Sequence, residues 1–123
     1  MHNAPRVLLV DDEVEFVNML ASLMRMQNLD VQTATGGIKA LQIMTSGDFD
    51  LLVTDINMPE MDGVELIREV KKIKPDLKIM VMTAYPSKGV RDESTRLGVL
   101  DYIIKPFPIN DFFQLLKKRL NTA

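Results

Sequence analysis

The 123-residue chain has no cysteine, so disulfides and thiolate metal sites are excluded. It has a single histidine, His2, ahead of the first apolar run, where it reads as a tail or tag residue rather than a ligand or phosphate carrier. There is no basic surplus: the formal net charge is -2. With no long Lys/Arg run either, neither nucleic acid nor a membrane surface is an expected partner. No apolar stretch reaches spanning length and no signal peptide is evident, so a cytoplasmic location is expected. Linkers, repeats and low-complexity segments are missing as well. What remains, at 46% hydrophobic and 26% charged, is the composition of an ordinary globular domain, long enough for one domain and too short for two.

Four short apolar runs end on polar residues. Val7–Val10 runs into Asp11 and Asp12, and Leu51–Thr54 into Asp55. Ile79–Met82 runs into Thr83, and Tyr102–Ile104 into Lys105 and Pro106. These runs are continuous rather than alternating, as in strands covered on both faces. A fifth, Asp30–Ala34, mixes in polar residues as an edge strand can. Helical periodicity fills the intervals. It groups Phe16, Met19, Leu20 and Leu23; Gly37, Ala40, Leu41 and Met44; Leu66, Ile67 and Val70; and Ile109, Phe112, Phe113, Leu116 and Leu120. Most of the nine methionines, including Met19, Met24, Met44, Met80 and Met82, are expected to fill core space. The segment Ser87–Leu97 has only Val90 and Leu97 as apolar anchors and should be the least firmly packed helix. Gly47, Pro75 and Gly98 mark helix ends. Five β-α alternations imply right-handed crossovers and a parallel sheet. A single domain over 1–123, with a core of about 6–120, is expected to leave nothing for an output domain.

In an open parallel sheet, sites form beyond the carboxyl ends of the strands. Asp11, Asp12, Asp55, Thr83 and Lys105 would therefore meet in one crevice. Three clustered carboxylates raise each other's pKa unless a cation offsets them. Mg²⁺ suits such a site, since it takes few carboxylates, several waters and phosphoryl oxygens. Lys105 adds a mobile point charge. Phosphoryl transfer needs mainly positioning and charge neutralisation, and a carboxylate can act as its nucleophile. Asp55 is the best nucleophile, because its strand would be central, and Thr83 can donate its hydroxyl to a phosphoryl oxygen. Taken singly, each feature has an ordinary explanation. An Asp after a strand caps or turns, a Thr favours strands, and Lys-Pro and Asp62-Gly63 are turns. The concurrence of all of them at the strand ends is what points to a site.

The motifs Val10-Asp11-Asp12-Glu13, Thr54-Asp55-Ile56-Asn57-Met58-Pro59, Met61-Asp62-Gly63, Met82-Thr83-Ala84 and Lys105-Pro106-Phe107 stand in this order. In this the chain resembles the receiver domains of two-component response regulators, and is similar to the single-domain chemotaxis type, from Arg6 to Leu120. The resemblance implies a flavodoxin-like (βα)5 doubly wound sheet in strand order 2-1-3-4-5, with helices 1 and 5 on one face and 2, 3 and 4 on the other. It implies that Asp55 accepts a phosphoryl group from a histidine kinase or His-phosphotransfer protein. Mg²⁺ would be held directly by Asp12, Asp55 and the carbonyl of Asn57, and by Asp11 through water. Lys105 would pair with the phosphoryl group, Thr83 would shift toward it with small Ala84 leaving room, and Tyr102 would turn inward. The Lys105-Pro106 bond would be cis. The family catalyses only its own phosphorylation and dephosphorylation.

Asn57 and Tyr85 each lie two residues beyond a phosphoryl-contacting group, where they would border the attacking water and tune the lifetime of the phosphate. Output to a downstream protein is expected through the face made by Ser87–Leu97, the strand ending at Lys105 and the helix Ile109–Leu120. A monomer is expected, with dimerisation on phosphorylation left open. One departure from the family is Pro108 after Phe107, where many members carry a capping Ser or Thr. It leaves the start of the last helix open, with Asn110 and Asp111 as candidates for its first turn.

An EF-hand loop starting at Asp55 fails, since Pro59 and Glu60 fill its fifth and glycine positions. A haloacid-dehalogenase-like aspartyl phosphatase needs a second aspartate where Asn57 stands. A pseudo-receiver that takes no phosphate would have no need of the full polar set.

Overall fold

A computed structural model of the chain describes residues 4–121. His2 lies outside the described residues. The five apolar runs are strands: β1 (Arg6–Val10), β2 (Asp30–Ala34), β3 (Leu51–Asp55), β4 (Lys78–Thr83) and β5 (Asp101–Ile104). They alternate with α1 (Val14–Arg25), α2 (Gly37–Ser46), α3 (Gly63–Ile73), α4 (Lys88–Arg96) and α5 (Ile109–Leu120). All strand pairs are parallel, in the order β2-β1-β3-β4-β5. This is the flavodoxin-like arrangement.

The sheet divides the core in two, which explains why the strands read as unbroken apolar runs. Val7, Leu9, Leu51, Val53, Met80 and Met82 face α1 and α5. Leu8, Val10, Leu52, Ile79 and Val81 face α2, α3 and α4. Register sets β1 and β3 side by side, with Val10 opposite Thr54, so both chains run out at the same edge. β3 and β4 are likewise aligned, with Asp55 opposite Met82.

The first helix differs from expectation. Its buried face is Val17, Leu20, Ala21 and Met24, while Phe16 and Leu23 are half-buried and Met19 is 48% exposed. Nearly every position from Phe16 to Met24 is apolar or small, so periodicity alone leaves the phase of this helix ambiguous. Packing against the sheet and α5 selects one of the available stripes. Of the last helix's stripe, only Phe112 and Leu116 are fully buried.

Helix ends follow local chemistry. Asp62 caps α3: its Oδ1 accepts from the Glu65 N–H at 2.9 Å, and Glu65 Oε1 accepts from the Asp62 N–H at 3.5 Å. Ser87 Oγ caps α4 by accepting from the Val90 N–H at 3.2 Å. α5 begins at Ile109 on Pro108, with no side-chain cap; Asp111 lies in its first turn, where it complements the helix dipole. Gly98 adopts φ +87 just past α4, a left-handed conformation that favours glycine. α4 is the thinnest-packed helix, with Ser94 its one fully buried residue. The Lys105-Pro106 peptide is cis, as the resemblance implied.

Candidate functional site

The carboxyl edge of the sheet gathers the residues singled out above. Asp11, at the end of β1, is fully buried. Its Oδ1 accepts from the Glu13 N–H at 2.9 Å, and its Oδ2 accepts from Lys105 Nζ at 2.5 Å. Asp12 follows at the partly exposed rim. Asp55, at the end of β3, is 5% exposed, and its Oδ1 accepts from the Ile56 N–H at 2.9 Å. Its Oδ2 lies 3.7 Å from Lys105 Nζ. One carboxylate oxygen from each of Asp11, Asp12 and Asp55 falls within 4.8 Å of the others.

The backbone beneath Asp55 is fixed from α3. The Gly63 N–H donates to the Ile56 carbonyl at 2.8 Å. A Cβ on Gly63 would come within 2.3 Å of the Asp55 carbonyl oxygen and 2.8 Å of Ile56 Cα. Only a residue without a side chain allows this approach. The Asp62-Gly63 pair therefore does more than turn the chain: Asp62 starts the helix, and Gly63 lets it abut the strand that carries Asp55.

Burial, then the neighbouring Asp11 charge, push the Asp55 carboxyl up to about 6, against opposing pulls from Lys105 and the N–H groups of Ile56 and Asn57. On Lys105, burial acts to lower the pKa. The hydrogen bond and charge of Asp11, with Asp55 and Glu13 behind them, outweigh it and hold the ammonium above its ordinary value. Lys105 is thus firmly cationic, and Asp55 is a carboxylate poised near neutrality. Mutual repulsion of the acids, expected from the sequence, persists at Asp55: the ammonium at their centre offsets it only in part.

Thr83, fully buried at the end of β4, accepts from the Tyr85 N–H at 3.0 Å through its hydroxyl, and its carbonyl accepts from the Lys105 N–H at 2.8 Å. The hydroxyl's own proton can be donated elsewhere. Ala84 and Asn57 are exposed, and Tyr85 is 74% exposed. Tyr102, half-buried on β5, faces the start of α4. Its hydroxyl accepts from the Ser87 N–H at 3.4 Å, and the Arg91 guanidinium lies 5.3 Å from its ring centroid. Two neighbours of Lys105 carried no role in the sequence reading: the Glu13 carboxylate, at 3.6 Å, and the Phe16 ring, with Nζ 4.6 Å from its centroid. Glu13 follows the acidic pair directly, which is a usable signal. Phe16 gave none, because it looks like any apolar residue of a helical stripe.

The site holds only hard oxygen donors, a buried lysine and a buried hydroxyl. That set suits a divalent cation and a phosphoryl group. Comparison with known proteins agrees. Residues 7–117 match the family model described as response regulator receiver domain. The transcriptional regulatory protein ZraR of Escherichia coli (strain K12) is 34% identical over 97% of this chain, which spans 27% of that relative's length. The sporulation initiation phosphotransferase F of Bacillus subtilis (strain 168) is 32% identical over 94% of this chain and 93% of its own. A CheY-like receiver domain protein from Methanospirillum hungatei JF-1 superposes with a TM-score of 0.94, at 27% identity, over 97% of this chain and 95% of that one. Chemotaxis protein CheY4 of Vibrio cholerae superposes at 0.88, with 26% identity, over 94% and 98%. Fold, motif order and strand-end chemistry converge on one conclusion: the chain belongs to the receiver domains of two-component response regulators.

Proposed function

We propose that this receiver is switched by phosphorylation of Asp55, with the phosphoryl group coming from a phosphohistidine on a histidine kinase or phosphotransfer protein. One observation carries the reading: the Asp55 carboxylate ends a central strand, 3.7 Å from a buried ammonium and within a cluster of three acids. An oxygen of Asp55 attacks phosphorus, the phosphorus–nitrogen bond of the donor breaks, and the freed imidazole nitrogen takes a proton from solvent. The product is an acyl phosphate. Lys105 moves from Asp11 toward the new phosphoryl oxygens, and the Thr83 hydroxyl donates its proton to one of them.

The acids fit Mg²⁺, with Asp12, Asp55 and the Asn57 carbonyl as direct ligands and Asp11 acting through water. The bound ion would neutralise charge on the phosphoryl oxygens. Asn57 and Tyr85 border the path of the water that later hydrolyses the acyl phosphate, so they set its lifetime. The shift of Thr83 favours an inward Tyr102, whose ring now lies against the start of α4. A downstream protein then reads the face made by α4, β5 and α5. We place the protein in the cytoplasm, where its phosphodonor acts; no described helix is long and apolar enough to cross a membrane.

Incubation with acetyl phosphate and Mg²⁺ tests the reading by intact mass. One added phosphoryl group, not formed when the metal is chelated beforehand and absent in Asp55→Asn, is the expected result. Turnover of outside phosphate esters would indicate a phosphatase, and no labelling would indicate a binding module.

A further inference from the structure

We propose that Phe16 is a positioning residue for Lys105: its ring face is a low-friction support that keeps the ammonium in the site while it changes partners. The inference rests on the phosphoacceptor reading of Asp55. Three carboxylates reach Lys105 Nζ: Asp11 at 2.5 Å, Glu13 at 3.6 Å and Asp55 at 3.7 Å. The fourth neighbour is the Phe16 ring, whose centroid lies 4.6 Å from Nζ. The lysine side chain is only 9% exposed, so this cation–π contact is largely shielded from water, where it is strongest.

The ring is itself held in place. Phe107 meets it edge-on, with centroids 6.4 Å apart, and Phe107 in turn stacks at 5.2 Å on fully buried Phe112. Phe107 lies two residues beyond Lys105, so the same aromatic series supports the lysine's backbone and its charge.

Lysine is a flexible stem with a point charge, and nothing in the stem itself fixes where that charge sits. To act on a phosphoryl group, Nζ must leave the short Asp11 contact and move toward Asp55 without escaping to Glu13, whose side chain is 68% exposed. A hydrogen bond to one carboxylate resists that movement. A ring face resists it less, because its attraction is spread over the face instead of being directed at one atom. Leucine at this position would fill space without attracting the charge.

A double-mutant cycle tests this, read by Mg²⁺-dependent beryllofluoride titration of the whole chain. Phe16→Leu should weaken binding about fivefold, and Phe16→Tyr, which keeps the ring, should stay within about twofold of the parent. In a Lys105→Met background, Phe16→Leu should add no further loss. In the metal-free protein, the Lys105 ε-methylene protons should show an upfield ring-current shift by NMR, lost in Phe16→Leu and kept in Phe16→Tyr. An equal loss in both lysine backgrounds, no loss in the parent background, or absence of the ring shift would each overturn the proposal. If the parent protein bound no beryllofluoride while the ring shift was present, the Asp55 reading would fail, and the supporting role would fall with it.

Discussion

At the scale of single residues, the chemistry depends on groups that take no part in it themselves. Asp55 is what a reader of the sequence would mark, yet its position is set by Gly63, whose missing side chain lets α3 abut the end of β3. Gly63→Ala should cost at least about 2 kcal/mol, because the atoms it meets are backbone and cannot rotate away. Urea unfolding measures this, and a loss below about 0.5 kcal/mol would show that the close approach is dispensable. Asp11, Asp12, Thr83 and Lys105 could be picked out because each ends an apolar run. The short Asp11–Lys105 contact could not, since those residues are far apart in sequence and meet only when β1 and β5 lie in one sheet. Phe16 was hidden for the opposite reason: its signal is an apolar residue in an apolar helix.

At the scale of elements, strands were more legible than helix faces. A strand buried on both sides needs only a run of apolar residues, and the five runs became the five strands. A helix needs a phase, and α1 offers several apolar stripes; the choice of Val17, Leu20, Ala21 and Met24 over the set containing Met19 came from tertiary packing. α3 shows the reverse case, with Leu66, Ile67 and Val70 the one apolar stripe and all three buried. Its capping box is a local device with a measurable worth. Asp62→Ala should destabilise the domain by about 1 kcal/mol in urea unfolding, and an unchanged midpoint would mean that Glu65 or solvent replaces the cap.

α4 is held differently. With little apolar burial, it leans on exposed polar contacts: Glu93 accepts from Arg68 of α3 at 3.0 Å and from Arg96 at 2.6 Å. Those two bonds, the Arg96 bond foremost, hold the Glu93 carboxyl below its ordinary pKa. Contacts of this kind are individually weak in water. Amide exchange in α4 should therefore be faster than in α1, α3 or α5, and it should change across Ser87–Tyr102 when beryllofluoride and Mg²⁺ are added. Changes confined to the loops after Asp12, Asp55 and Thr83 would mean that the signal leaves by another surface.

At the scale of the molecule, the sheet accepts a cost at one edge to hold its charged site. The folded Asp55 carboxyl sits at about 6, up from the ordinary 3.8. Between those values the native state takes up a proton more readily than the unfolded chain. Its ionised form therefore opposes folding above about pH 6, and this penalty fades as the pH falls toward about 4. Without Mg²⁺, Asp55→Asn should unfold at higher urea than the parent near neutral pH, and the difference should shrink on acidification. A constant difference across that range would mean that the charge of Asp55 is not its source.

On the proposed reading, one residue of the acidic cluster, Asp55, is the phosphoacceptor. Borohydride reduction of the acetyl phosphate-treated protein, followed by peptide mass mapping, tests it most directly, because it converts an aspartyl phosphate to homoserine in place. Homoserine is expected at position 55, formed only when Mg²⁺ was present. Homoserine at position 11 or 12 instead, or none in protein whose mass shows a phosphoryl group, would contradict it.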